Sequence, residues 1–355
     1  MDVHATAGPK LLRSLALGIL LVLCLIVPTS ADTPGGICPI NRFPIGATDW
    51  YVFGMARGAD NHVWFVKPSA ANTYHIANMS PDGTLAEVPV DGTPVRLAFT
   101  VDQNVWYTRS DSGVVSQLTL SNTINSFPIS STISNGIAVA ADGNLWITES
   151  ASNQIERMTA TGTITGQFPV PTADSQLGDI VLGGDGNLWF IEKAAQKIGR
   201  ISTTGIIAEF ATLTPSANLT HITAAPDGNV WFVETVACVP YCSYSYYNRI
   251  TPDGTIMRFG PTYPIDGIVA GVDGNLWAIL RLRYNFLLGR IAMDGTLTTF
   301  GSPSTDPYLA HLGNSIAAGG DGKLWVGTGS YDNQFVETFD PNKLGCFVYM
   351  PMVLR

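Results

Sequence analysis

The sequence predicts an all-β fold, a seven-bladed β-propeller with four-stranded blades, and three observations carry that prediction. A short phrase, clearest as Asp142-Gly143-Asn144-Leu145-Trp146, Asp185-Gly186-Asn187-Leu188-Trp189 and Asp273-Gly274-Asn275-Leu276-Trp277, recurs seven times. Its tryptophans, Trp64, Trp106, Trp146, Trp189, Trp231, Trp277 and Trp325, follow one another at intervals of 42, 40, 43, 42, 46 and 48 residues. Gly (36) and Pro (22) together make up about one residue in six of 355, which disfavours long helices and demands frequent turns. Four short strands per unit, at a period of about 40 to 50 residues, define a propeller, in which radial repetition protects the sheet edges.

One unit shows how the strands are read. Gly136 to Ala140 form an inner strand, Asp142-Gly143 turns the chain, and Asn144 to Glu149 return as a second strand. Gln154 to Met158 form the third, and a turn at Gly162 leads into the fourth, Thr163 to Phe168. The tryptophans are expected to pack between blades, since their large apolar rings stabilise most when buried. Seven such units fill nearly all of residues 32–355, leaving no room for a second domain. A propeller must also join its last blade to its first. The stretch Ile40 to Pro44 resembles the outer-strand segments ending at Pro128 and Pro169, so this N-terminal strand is expected to close the blade begun by Trp325.

Residues 1–31 read as a signal peptide. Lys10 and Arg13 precede an apolar run from Leu15 to Val27, and Thr29, Ser30 and Ala31 supply small residues for cleavage. An uncleaved anchor is the alternative, although Leu11 to Val27 is short for a span of about 20 residues. The protein is therefore expected to be secreted or held at the cell surface, with no membrane span after signal removal. Cys38, Cys238, Cys242 and Cys346 remain once Cys24 is lost, an even number suited to an oxidising compartment. Cys238 and Cys242 suggest a local staple, and Cys38 with Cys346 would fasten the two ends of the ring. A four-cysteine zinc site is the competing reading, disfavoured by the long separations.

Charge narrows the partners. Removing the signal takes away Asp2, Lys10 and Arg13 and leaves 17 basic against 27 acidic residues. Without a basic excess there are no counterions to release from a polyanion, so nucleic acid is excluded as a partner. A monomer is expected, with a small cyclic peptide, a glycan or a peptide as ligand.

The phrase Gly-Ile, the Asp-Gly-Asn-Leu-Trp turn, a Glu three residues after the Trp, and Lys197 to Ile201 (Lys-Ile-Gly-Arg-Ile) together resemble the virginiamycin B lyase, or streptogramin lyase, family. The resemblance spans residues 40–345 and implies a propeller fold. It also implies an activity: ring opening of a cyclic depsipeptide by elimination, in which a histidine takes the proton, a glutamate helps hold Mg²⁺, and the ester carboxylate leaves. In that family the histidine stands two residues before the inner-strand Ile and the glutamate three after the Trp. The first position here reads Phe53, Val95, Asn135, Gly178, Thr220, Asp266 and Asn314, none of them histidine. The second reads Lys67, Arg109, Glu149, Glu192, Glu234, Leu280 and Thr328.

Turn chemistry predicts which side chains meet. Ala225-Pro226-Asp227-Gly228-Asn229 favours a type I turn with a left-handed Gly bulge, and that register sets Thr220 opposite Glu234 and Asn135 opposite Glu149. A two-residue turn would instead set His221 opposite Glu234, a base with an orienting carboxylate, so His221 and Glu234 are the candidate catalytic pair. Asn135, Glu149, Glu192, Thr220 and Arg109 are expected around one rim of the channel as ligand-binding groups. Glu149, Asp266 and Asn314 offer oxygen ligands for Mg²⁺ or Ca²⁺, which also suits a metal-dependent lactonase. The segment Thr235 to Asn248 should emerge over the same rim as a long loop. Tyr241 and Tyr244 within it suggest a recognition surface, because tyrosine gives large contact area at low entropic cost. A non-catalytic propeller that binds through this loop is the second functional reading.

Overall fold

The computed structural model describes residues 39–46, 51–69, 73–131, 134–238, 242–282, 286–301, 315–330 and 333–343. They form seven antiparallel four-stranded sheets. In six of them the strands follow chain order from the inside out: blade 3, for example, runs Ser134–Val139, Leu145–Glu149, Gln154–Met158 and Ile164–Pro169. The seventh is assembled from both ends of the described chain, with Pro39–Gly46 pairing antiparallel to Asn333–Phe339. The seven-bladed propeller and its closing N-terminal strand are as the sequence led us to expect. Cys38, Cys346 and residues 1–31 lie outside the described residues.

The repeated phrase builds two features at once. Its Asp-Gly forms a tight turn: the Ala140 amide donates to the Asn144 carbonyl at 2.9 Å and Gly143 stands at φ 80°. Only a residue without a β-carbon adopts that backbone at little cost. The turn Asp accepts the indole N–H in four blades, as from Trp189 to Asp185 at 3.1 Å and from Trp325 to Asp321 at 3.0 Å. The Trp ring then faces the next blade. Trp146 lies with Leu177, Ile180 and Phe190 of blade 4, and Trp325 with Val52, Val63 and Phe65 of blade 1.

In six of the seven blades a phenylalanine in the outer strand packs on the Trp from the rim side, while Trp64 meets Phe99 of the next blade's inner strand at 6.0 Å. Trp106 stacks on Phe127 at 5.1 Å, Trp146 on Phe168 at 5.3 Å, and Trp189 on Phe210 at 5.7 Å. Those phenylalanines also abut a turn glycine of the following blade. A β-carbon on Gly162 would lie 2.0 Å from Phe127, and one on Gly205 would lie 2.1 Å from Phe168. The closing strand obeys the same rule. Phe43 stacks on Trp325 at 5.9 Å and fills the space against Gly83 of blade 1. Arg42 adds an ion pair to the buried Glu337 at 2.5 Å.

The seam therefore depends on Phe43. Phe43→Ala should lower unfolding stability by roughly 2–3 kcal/mol, somewhat less than a fully buried Phe because the ring is half-exposed. Denaturant melts followed by tryptophan fluorescence will measure it.

Candidate functional site

The inner strands start at one mouth of the channel, and there six of the seven carry an irregularity that shapes the site. In blade 3, Ser134 pairs with Glu149 and Ile137 with Ile147, so Asn135 and Gly136 together oppose Thr148. Blades 1, 2, 4 and 5 share this two-against-one bulge, and blade 6 shifts register at the same level. The three-residue Gly-bulge turn is formed as expected, but the bulge beyond it corrects the register. Glu149 lies opposite Ser134 rather than Asn135, and Glu234 opposite Leu219 rather than Thr220. A threonine stabilises the irregularity in two blades. The Gly136 amide, which has lost its ladder partner, donates to Thr148 Oγ1 at 2.8 Å, and that hydroxyl donates to the Gly178 carbonyl of blade 4 at 2.6 Å. Thr108 joins Arg96 to Asn135 in the same way, at 3.2 Å each. Threonine two residues after the Trp was the sequence signal for this device.

The bulge brings forward a column one residue later than the family position. It holds Arg96, Gly136, Asp179 and His221 in blades 2 to 5. Arg96 clamps Asp179 in a two-pronged ion pair, Nε to Oδ1 at 2.8 Å and Nη2 to Oδ2 at 2.8 Å. Blades 2 and 4 are not neighbours in the ring, so this bridge crosses the channel in front of blade 3. Gly136 permits it by packing tightly onto blade 4: a β-carbon there would stand 2.8 Å from the Ile180 nitrogen. Asp179 holds the Arg96 pKa above its ordinary value. His221 shares the enclosure. Burial pushes its pKa down to about 4, with Asp179 opposing the shift and Arg96 and Lys193 adding to it. Its imidazole is therefore neutral at neutral pH. Lys193 reaches the mouth over Gly178, where a β-carbon would lie 2.9 Å from its Cε. Arg96, Asp179 and Lys193 were not among the expected site residues.

The three glutamates turn away from this channel. Each is 0% exposed, at the end of a second strand whose inward alternation carries the side chain into the cleft with the preceding blade. Glu149 Oε2 accepts from Ser152 Oγ and Gln154 Nε2, both at 2.8 Å. Burial, then Glu156 beside it, raise its pKa to about 7. Neither oxygen of Glu192 has a hydrogen-bond partner, and burial followed by the Glu209 charge raises it to about 7. Glu234 accepts from the Thr214 amide (3.0 Å), Thr214 Oγ1 (2.8 Å), Asn248 (3.2 Å) and Arg258 (3.2 Å). None of these partners is His221, so the expected His221–Glu234 pair is not formed: the bulge carries the histidine into the channel while the glutamate enters the blade 4–5 cleft.

The other expected residues scatter in the same manner. Asn135 Nδ2 donates to the Leu177 carbonyl at 2.5 Å, as a tie between blades 3 and 4. Thr220 keeps a buried hydroxyl without a partner beside His221. Arg109 pairs with Asp111, Nε to Oδ1 at 3.1 Å. Asp266 pairs with Arg281 at 3.4 Å, and burial raises its pKa. Of the expected metal set Glu149, Asp266 and Asn314, the two described members are not brought together. Glu149 and Asp266 belong to blades 3 and 6 and have separate partners, and Asn314 lies outside the described residues. Among the described residues no group of three His, Cys, Asp or Glu side chains could hold a metal ion.

Blade 5 departs from its sisters over this mouth. Its second and third strands, Val230–Cys238 and Cys242–Ile250, continue beyond the inner strand as a hairpin closed by a Cys238–Cys242 disulfide. The long loop expected over Thr235 to Asn248 is thus mostly strand, because Val236, Tyr244 and Tyr246 suit a pleated surface. Tyr244 meets Tyr246 edge-on at 5.6 Å, and the Arg258 guanidinium sits 4.5 Å from the Tyr246 ring. Tyr241 lies outside the described residues.

Fold and channel define a propeller of the streptogramin-lyase type, and comparison with known proteins agrees. The model of the Virginiamycin B lyase family matches residues 38–260, so this chain belongs to that family. Among solved structures, one described as a streptogramin B lyase superposes with a TM-score of 0.71 at 26% identity, over 84% of this chain and 97% of the other. A catalytically inactive virginiamycin B lyase from Staphylococcus aureus, with a histidine replaced by alanine and quinupristin present, gives a TM-score of 0.68 at 25% identity, over 84% and 99% of the two chains. No curated protein sequence matches.

The buried glutamates set a pH dependence. A carboxyl whose pKa is raised on folding binds its proton more tightly in the native state, so its contribution is present below the unfolded value near 4.5 and lost as pH rises through about 7. Glu192→Gln should therefore raise the melting temperature by a few degrees at pH 8 and change it little at pH 4, as calorimetry at the two pH values will measure.

Proposed function

We propose that this protein is an exported carbon–oxygen lyase that opens a cyclic ester-containing peptide at the mouth of its channel, with His221 as the base. The observation that carries the reading is His221 itself, a neutral imidazole on the strand beside Asp179's, within the electrostatic reach of the Arg96–Asp179 bridge and Lys193. Family membership supplies the reaction type. A ring nitrogen of His221 takes the proton from carbon, the C–H electron pair becomes a C=C bond, and the C–O bond breaks with the ester carboxylate as leaving group. The low proton affinity of His221 makes it a weak base in the free enzyme, since a base works best with a pKa near the working pH. Carboxylate charge developing at this mouth would meet the chain's own cations, Arg96 and Lys193, and electrostatic stabilisation of that kind is commonly a large part of catalysis.

The projecting hairpin favours a second reading, a propeller that binds a glycan, peptide or protein partner without turnover. Tyr244 and Tyr246 are paired rings at the edge of the mouth, and the disulfide restricts the strands that carry them.

Incubation with quinupristin, followed by chromatography and mass spectrometry, separates the readings. Elimination opens the ring with no change in mass, hydrolysis adds one water, and binding alone returns the intact ring. On the lyase reading, His221→Ala lowers the rate of ring opening by about 100-fold or more; an intact ring after prolonged incubation with the wild-type protein sinks it.

A further inference from the structure

The Arg96–Asp179 bridge holds two opposite charges half-buried at the channel mouth, where such pairs add little to stability on their own. Arg96 Nη1 donates to its own neighbour's carbonyl, Val95 O, at 3.1 Å, and its two other prongs are spent on Asp179. The bridge is thus closed on itself, with His221 in its field.

The reaction proposed above creates one charge of each sign at this place. A proton arrives on His221 and the ester carboxylate departs from the alkyl carbon that bore its oxygen, with no change in the net charge. We propose that the Arg96–Asp179 bridge is a counter-ion exchange device, in which Asp179 passes to the imidazolium of His221 while Arg96 passes to the carboxylate released from the ring. This assignment rests on the lyase reading and makes Asp179 a positioning residue and Arg96 the recognition group for the product carboxylate. The guanidinium suits that task because its planar fork matches a carboxylate with two parallel hydrogen bonds. Both counter-charges are in place before the reaction, so neither must be drawn from solvent.

The other charged groups nearby do not substitute. Lys193 reaches the same mouth but adds only positive charge. Glu192 and Glu234, on second strands packed beside His221's own strand, turn into inter-blade clefts. Asp266 of blade 6 is taken by Arg281. Asp179 is left as the acid that acts on His221, and Arg96 as the group that holds it.

The test follows the His221 ring protons by NMR in the full-length protein, with benzoate as the probe carboxylate. In wild type the imidazole should titrate at about pH 4, held down by burial. In Arg96→Met the released Asp179 should move that titration upward by about one pH unit or more, and Asp179→Asn should not. Benzoate should bind Asp179→Asn about tenfold more tightly than wild type, because the fork is vacant. It should bind Arg96→Met most weakly, and saturating benzoate should raise the His221 titration of wild type. Arg96→Gln gives the same readings if Arg96→Met fails to fold. An unmoved His221 titration in the Arg96 variants, or equal benzoate affinity in all variants, overturns the exchange. These readouts need no turnover: an intact quinupristin ring beside a working exchange would remove the lyase reading alone.

Discussion

The two-against-one bulge at the start of the inner strands is the constraint on which the site depends. Without it the pairing set by the Asp-Gly turn would run unbroken to the channel mouth, and Asn135 and Thr220 would stand opposite Glu149 and Glu234. With it, the column containing Arg96, Asp179 and His221 comes forward. The bulge is maintained by the same hydroxyls that tie neighbouring blades, Thr108 to the Asn135 carbonyl and Thr148 to the Gly178 carbonyl. Local irregularity and inter-blade cohesion are therefore one set of hydrogen bonds.

Most of the fold was legible in the sequence because it is periodic. Each Trp brings its own turn and its own Asp, and six of the seven an outer-strand Phe, and repetition makes even a weak local signal decisive. Pro39–Gly46 could be recognised as an outer strand by likeness to its sisters, although its partner strand lies near the other end of the chain. The site was less legible for a physical reason. A strand has a side-chain period of two, so one inserted residue changes which face every later residue presents. The family's columns were correct as alignments and wrong as directions: Glu149, Glu192 and Glu234 enter clefts, while Arg96 and Asp179, which belong to no repeated motif, meet across the ring.

Divergence from the familiar catalytic positions is visible in what replaces them. No histidine stands two residues before an inner-strand Ile, and the one at the next position, His221, has lost proton affinity to its enclosure. The glutamates three residues after the Trp are fully buried. Glu234 is fully engaged by Thr214, Asn248 and Arg258, and Glu149 shares its cleft with Glu156. Family membership fixes the scaffold; the charges that gather at this mouth are Arg96, Asp179 and Lys193.

The seventh sheet, built from the first and last described strands, has a consequence for biogenesis. A ribosome delivers Pro39–Gly46 first and Asn333–Phe339 last, so the earliest segment must wait, unpaired, until almost the whole polypeptide has emerged. Six sectors can form as synthesis proceeds, but the ring stays an open arc with an adhesive β-edge at one end. Prematurely terminated chains would keep that edge, and with it a template for joining one another.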